Sequence, residues 1–180
     1  MNAGKAVSSR GTAGGIATLW NISDFILENS LKSQHWIFTQ LCHIPSKKVY
    51  CLFNLYVPVN LQEKRECWNS LAAFLNANSF SNLIIAEDLN LILNAKEKVG
   101  GVYGRDPMLN WVDKFILKWE MIDFKPKRGK FTLSNNRLGA ANISARLDRF
   151  LVQSSLLADK TVISSSILPN ITSNHKPILL

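Results

Sequence analysis

Leu83-Ile84-Ile85-Ala86-Glu87-Asp88-Leu89-Asn90 is the stretch that decides how this chain reads. Its four apolar residues predict a short buried strand. Two carboxylates and an amide follow at the C-terminal end, the side of a sheet where α/β proteins form ligand crevices. Such a cluster can hold a divalent cation or orient a water, although an acidic turn also suits a solvated loop or a helix cap.

Working upstream, the period changes between Gln62 and Asn76. Trp68, Leu71, Ala72 and Leu75 form one stripe of an amphipathic helix, with Lys64, Arg65 and Glu66 off it. Before that helix, Val49 to Tyr56 reads as a strand with Val49, Cys51, Phe53 and Leu55 on one face and Tyr50, Leu52, Asn54 and Tyr56 on the other. Being apolar on both faces for most of its length, it is expected to be central and doubly covered. His35 to Leu41 reads as its neighbour across the polar, Pro-containing connection His43 to Lys48. Gly14-Gly15 reads as a turn feeding a strand from Ile16 to Trp20.

Downstream, Met108, Val112, Phe115 and Trp119 predict a second helix, started by the cap and first-turn proline Asp106-Pro107. Phe131 to Ser134 and Ser144 to Val152 read as strands flanking a polar turn, Asn135 to Gly139. Strands, hairpins and interspersed helices predict an α+β or mixed α/β layered domain. With 180 residues and 47% hydrophobic content, a single domain spanning 1–180 is expected, with residues 1–10 disordered.

Lys and Arg number 21 against 13 Asp and Glu, a formal charge of +8 that favours polyanionic partners such as nucleic acid. Cys42, Cys51 and Cys67 have neither disulfide-framework nor zinc-ligand spacing, which fits a reducing compartment. Asn21-Ile22-Ser23, Asn142-Ile143-Ser144 and Asn170-Ile171-Thr172 match the glycosylation pattern, but no apolar signal segment precedes them, so they are read as chance. The first 17 residues weakly resemble a transit peptide and are read instead as the glycine-rich start of a truncated domain. No apolar run reaches the roughly 18 residues of a membrane span, so a soluble protein with no membrane partner is expected.

Asp148 lies inside an apolar strand pattern, where an unpaired carboxylate would be costly. Arg146 or Arg149 could neutralise it as ordinary ion pairs, or His175 could, since a carboxylate that fixes an imidazole tautomer is a recurring device in hydrolysis. Both readings stay open at the level of these residues.

Seven segments occur in one order: Gly11 to Ala17, Asn54 to Pro58, Ile85 to Asn90, Glu97 to Gly101, Phe131 to Asn135, Ala145 to Phe150 and Ser173 to Pro177. In that order they resemble the endonuclease domain of plant LINE-type retroelements, a branch of the DNase I-like endonuclease/exonuclease/phosphatase family. The resemblance covers nearly the whole chain. It implies a four-layered α/β sandwich that hydrolyses phosphodiester bonds with Mg²⁺, with DNA as partner. Relatives include apurinic/apyrimidinic endonucleases and phosphatases acting on small phosphate esters. Tyr56 would contact the scissile phosphate, Asp88 would activate the attacking water, and Asn90 would hold that water or a phosphate oxygen. Asp148 would orient His175, which would stabilise charge on the phosphate. If the chain is functional, the resemblance implies an intracellular, nuclear protein, with a reverse transcriptase domain downstream in the parent element.

The pattern also breaks. Family members carry an active-site Asn and a metal-binding Glu on strands upstream of the segment that begins at Gly11, so N-terminal truncation is expected. Asn174 stands where the family has Asp, leaving a weakened metal ligand. Glu87 stands where the family usually has Gly, adding bulk and negative charge, although it could donate a replacement ligand. Leu133 replaces a usual Trp. The expectation is a degenerate, impaired endonuclease. The alternatives are a non-catalytic nucleic-acid binder, a small-ester phosphatase and a retroelement relic. For the binder, Lys125, Lys127, Arg128 and Lys130 form a compact basic loop, joined by Arg146 and Arg149.

Overall fold

The computed structural model describes residues 1–9, 15–102, 104–158, 162–169 and 173–180. Strand β1 (Asn2–Val7) pairs antiparallel with β2 (Ile16–Asn21), which corrects the expectation of disorder at the start of the chain. Gly14 of the expected Gly14-Gly15 turn lies outside the described residues, as does the Asn170-Ile171-Thr172 glycosylation match. β2 alternates strictly, with Ile16, Thr18 and Trp20 buried and Ala17, Leu19 and Asn21 exposed.

β3 (Phe25–Lys32), β4 (Trp36–His43) and β5 (Val49–Tyr56) form an antiparallel meander. β3 is absent from the sequence reading because its apolar residues do not alternate cleanly, and a register shift between Leu27 and Asn29 interrupts it. Helix α1 (Leu61–Asn76) follows, capped by the Asn60 side chain, which accepts from the backbone N–H groups of Gln62 and Glu63. It buries Cys67, Trp68, Leu71 and Leu75, and also Lys64, which the helical period had placed off the apolar stripe.

β6 (Leu83–Asp88) then pairs parallel with β5, as a strand–helix–strand crossover requires. After β7 (Lys98–Val99) comes α2 (Leu109–Lys118), whose N-cap is Met108 with no side-chain cap. The expected cap Asp106 and first-turn Pro107 precede it, and the Asp106 carboxylate accepts from the Met108 N–H in the turn before the helix. β8 (Met121–Phe124), β9 (Leu133–Ser134), β10 (Ser144–Ala145), β11 (Asp148–Gln153), β12 (Ser166–Ile167) and β13 (Ile178–Leu179) complete the chain.

The main sheet has the order β3-β4-β5-β6-β11-β8, in which only β5 and β6 run parallel. β5 therefore has hydrogen-bonded neighbours on both sides, as its two-sided apolar pattern predicts. One face packs Phe38, Phe53, Leu55, Ile85 and Leu151 against Trp68, Leu71 and Leu75 of α1 and Val112 and Phe115 of α2. On the other face β2 lies against β4 and β5, where the Asn54 side chain donates to the Ala17 carbonyl at 2.8 Å. No helix among the described residues is long and apolar enough to cross a membrane.

The strand expected from Ser144 to Val152 is broken at Arg146 and Leu147. The cause is Thr132, fully buried, whose hydroxyl accepts the N–H groups of Leu147 and Asp148 at 3.0 Å each. Those donors leave the sheet ladder, and β11 starts afresh at Asp148.

Candidate active site

Register assembles the site. Tyr56 on β5 is the cross-strand partner of Asp88 on β6, and Asp88 is the partner of Asp148 on β11. Directly paired residues present their side chains on the same face. Three strands thus bring together groups scattered along the chain.

His175 joins from the C-terminal segment, whose backbone is tied down by a bridge between Leu133 and His175 and by the Lys176 N–H donating to the Thr132 carbonyl. Its Nδ1 lies 3.0 and 3.2 Å from the two Asp148 carboxylate oxygens. A carboxylate only accepts, so Nδ1 carries the proton and donates. This resolves the choice left open above: His175, not an arginine, is the partner of Asp148.

Arg146 and Arg149 are engaged elsewhere. Arg146 donates to Glu97 at 2.9 Å and to both oxygens of Asp123 at 2.6 and 2.8 Å. Arg149, 1% exposed, donates to Glu97, to Asp123 and to the Leu91 carbonyl. Burial opposes ionisation of Asp123, but the two guanidiniums outweigh it and hold the carboxyl below its usual range. Both arginines are buried, so the expectation that they contact nucleic acid is corrected: they bind the loops beneath the site to one another. Lys125, Lys127, Arg128 and Lys130 are exposed, on the loop that leaves β8 beside the Asp148 end of β11.

Asn90 has φ +43 and is held at several atoms. Its N–H donates to Asp88 Oδ1 at 2.8 Å and its side-chain amide donates to the Val57 carbonyl at 2.7 Å. Asp88 itself is 8% exposed. Burial first, and the Asp148 carboxylate second, push its pKa up to about 6, against the Asn90 N–H and His175, which pull it down.

Glu87 has φ +97, the left-handed territory that favours glycine. The residue is exposed and borders the cleft. One cavity, of about 170 Å³, is lined by Tyr56, Asp88, Asn54 and residues of β2. The other, of about 340 Å³, is lined by Asp148, His175 and Lys176. Glu87 borders both and stands between the two halves. Crowding by protein, then the Asp148 carboxylate, raise its pKa.

The donor atoms of Asp88, Asp148 and His175 lie within 4.8 Å of one another. Asp148 is occupied by His175, whereas the pKa values of Asp88 and Glu87 are raised by burial first and by the neighbouring Asp148 carboxylate second. Hard oxygen donors under mutual repulsion suit a divalent cation, which would relieve that repulsion. Asn174 is not so placed: it is exposed, and its side-chain oxygen accepts from the Asn136 amide at 3.2 Å. Thr132, within the Phe131 to Asn135 segment, is a site-building residue that the sequence does not single out. Its signal, a threonine just before a strand that carries a carboxylate, is too common to read without the fold.

The fold is the DNase I-like α/β sandwich shared by endonucleases, exonucleases and phosphatases. No family model and no curated protein matches the sequence. Among solved structures, the endonuclease domain of TRAS1, a telomere-specific non-LTR retrotransposon, superposes with TM-score 0.69 at 10% identity, over 98% of this chain and 78% of that one. The AP endonuclease LMAP from Leishmania major gives TM-score 0.69 at 18% identity, over 98% and 69%. An endonuclease/exonuclease/phosphatase family protein from Bacteroides thetaiotaomicron gives 0.65 at 12%, over 98% and 73%.

Proposed function

We propose that this chain is a degenerate Mg²⁺-dependent endonuclease of retroelement origin, with DNA phosphodiesters as substrate. Tyr56, Asp88, Asn90, Asp148 and His175 are its catalytic residues, and Glu87 impairs it. The observation that carries this reading is the register that sets Tyr56, Asp88 and Asp148 side by side with His175 bonded to Asp148. Its likeness in fold to a retrotransposon endonuclease domain and to an AP endonuclease supports the substrate class.

Hydrolysis of a phosphodiester needs a positioned water, a base for its proton and positive charge against the developing phosphorane. Asp88, with a pKa of about 6, is mostly ionised above neutrality and can take that proton. Asn90, anchored to Val57, keeps the water or a phosphate oxygen in place. The hydrogen bond to Asp148 raises the His175 pKa and so favours the imidazolium, which meets the negative charge that develops on phosphate. A Mg²⁺ ion held by Asp88, beside Asp148 and His175, would supply further Lewis-acid stabilisation.

Glu87 is the defect. It lines both halves of a cleft that must accept an anion, and its carboxylate brings negative charge there. Supercoiled plasmid incubated with the purified chain and Mg²⁺ should stay intact, while Glu87→Gly should nick it in an EDTA-sensitive manner and lose that activity on Asp88→Ala. Nicking by the unaltered chain that EDTA stops and Asp88→Ala abolishes would overturn the impairment. An inert Glu87→Gly would overturn the catalytic reading.

One observation favours a second reading, non-catalytic nucleic-acid binding. Lys125, Lys127, Arg128 and Lys130 are exposed together on one loop in a chain of charge +8.

A further inference from the structure

Lys64 is the cation that the helical period placed on the solvent side of α1 and that the structure buries, at 4% exposure. Its ammonium donates to the Asn90 carbonyl at 3.0 Å and to Asp106 at 2.5 Å. Asp106 in turn accepts the Met108 N–H in the turn before α2. A buried ammonium is costly unless charge and hydrogen bonds compensate it. Here one of its two partners is the backbone oxygen of a residue at φ +43, two positions from Asp88.

The next carbonyl along, that of Leu91, is taken by buried Arg149. Two successive carbonyls of the turn after β6 are therefore each held by a buried cation. The Asn90 side chain is tied to Val57 and its N–H to Asp88. A left-handed non-glycine residue persists where its surroundings over-determine it. Among the described residues, Lys64 supplies the restraint on Asn90 that comes from the helix layer.

We infer that Lys64 is a positioning residue: by holding the Asn90 carbonyl it keeps the Asn90 N–H on the Asp88 carboxylate and fixes the orientation of that carboxylate in the cleft. The inference rests on the reading of Asp88 and Asn90 given above only for its bearing on catalysis. Its structural half stands on geometry alone.

Amide hydrogen exchange and ¹⁵N–¹H spectra of the full chain test it. Lys64→Met keeps the aliphatic stem and deletes the ammonium. The pair Lys64→Met with Asp106→Asn also removes the stranded carboxylate while keeping an acceptor for the Met108 N–H, and so protects against a variant that fails to fold. In both, exchange at the Asn90 amide should accelerate about tenfold or more beyond the change at core amides such as Ile85, and the Asn90 and Asp88 resonances should shift. Asp106→Asn alone should leave Asn90 tracking the core. Exchange at Asn90 that rises only in step with Ile85 in both Lys64 variants would overturn the inference and reduce Lys64 to a structural ion pair. Nicking measured in a Glu87→Gly background should fall about tenfold on Lys64→Met. A nicking-free background would count against the catalytic reading, and the exchange result would still decide the role of Lys64.

Discussion

Asp148 and His175, 27 residues apart, meet with Nδ1 at 3.0 Å from a carboxylate oxygen that is otherwise buried. Asp148 stands at the start of β11 because the Thr132 hydroxyl takes its N–H, and the His175 segment is fastened to the Thr132 carbonyl through Lys176. One buried threonine thus sets the spacing of the pair. The hydrogen bond from His175 to Asp148 raises the imidazole pKa against the opposing effect of burial, and the carboxylates of Asp148, Asp88 and Glu87 add to the rise. A raised histidine contributes stability that is complete below its ordinary value of 6.5 and is lost as pH climbs through its folded value. Asp148→Asn should bring the His175 midpoint, followed by NMR of the ring protons, down to or below the ordinary value. It should also flatten that part of the stability profile.

Asp88 shows the opposite relation between function and stability. Its pKa is raised from 3.8 to about 6, so keeping it ionised in the folded state opposes folding. The sign follows from proton binding: the folded state holds the proton more tightly, and stability declines as pH rises between those two values. Asp88→Asn should therefore be more stable than the parent by roughly 2–3 kcal/mol at pH 8 in EDTA, and close to it at pH 3. Urea denaturation at the two pH values measures the difference, and equal stabilities at pH 8 would contradict it.

Glu87→Gly should also stabilise the chain, by about 1 kcal/mol, because a side chain at φ +97 is strained and glycine is not. The thermal midpoint reports it. Glu87→Ala retains the Cβ at the same φ and should show less of the gain, which separates backbone strain from charge.

Arg149→Met should be severely destabilising, by roughly 3–5 kcal/mol, since it strands Glu97 and Asp123 without one of their two shared cations. A chemical-denaturation midpoint unchanged from the parent would show the network to be dispensable. Affinity for DNA should change no more than the loss of folded protein explains.

Lys127→Gln should act in the reverse manner. The residue is exposed, so stability should shift by less than about 0.5 kcal/mol. Affinity for a short duplex should weaken, and the slope of log affinity against log salt should lose about 1 unit. Fluorescence anisotropy across a salt series checks both. A slope unaltered by substitution at Lys125, Lys127 and Lys130 would remove the basic loop as a contact.

Much of the scaffold was legible because local periodicity and packing agree. β5, β6, α1 and α2 were placed from apolar spacing, and they are the elements that bury Phe53, Ile85, Trp68 and Phe115. β3 and β8 were missed for a shared reason. Both are outer strands of the main sheet, each with one hydrogen-bonded neighbour, and Glu28 in β3 and Asp123 in β8 break the apolar pattern. The break at Arg146 and Leu147 was invisible because the interacting hydroxyl lies 15 residues away in sequence from Leu147.

The order of short motifs was enough to suggest the DNase I-like sandwich, to single out Asp88, Asp148 and His175, and to mark Glu87 as a residue in a glycine's place. These are properties of the chain itself: residue type, spacing and local backbone preference. Which charges do chemistry and which merely hold the fold was decided in three dimensions. Arg146, Arg149 and Lys64 look like surface cations in one dimension, and all three are buried because a carboxylate or carbonyl from a distant segment closes over each. Partner choice for a buried charge depends on the desolvation that tertiary packing imposes, and no local pattern encodes that quantity.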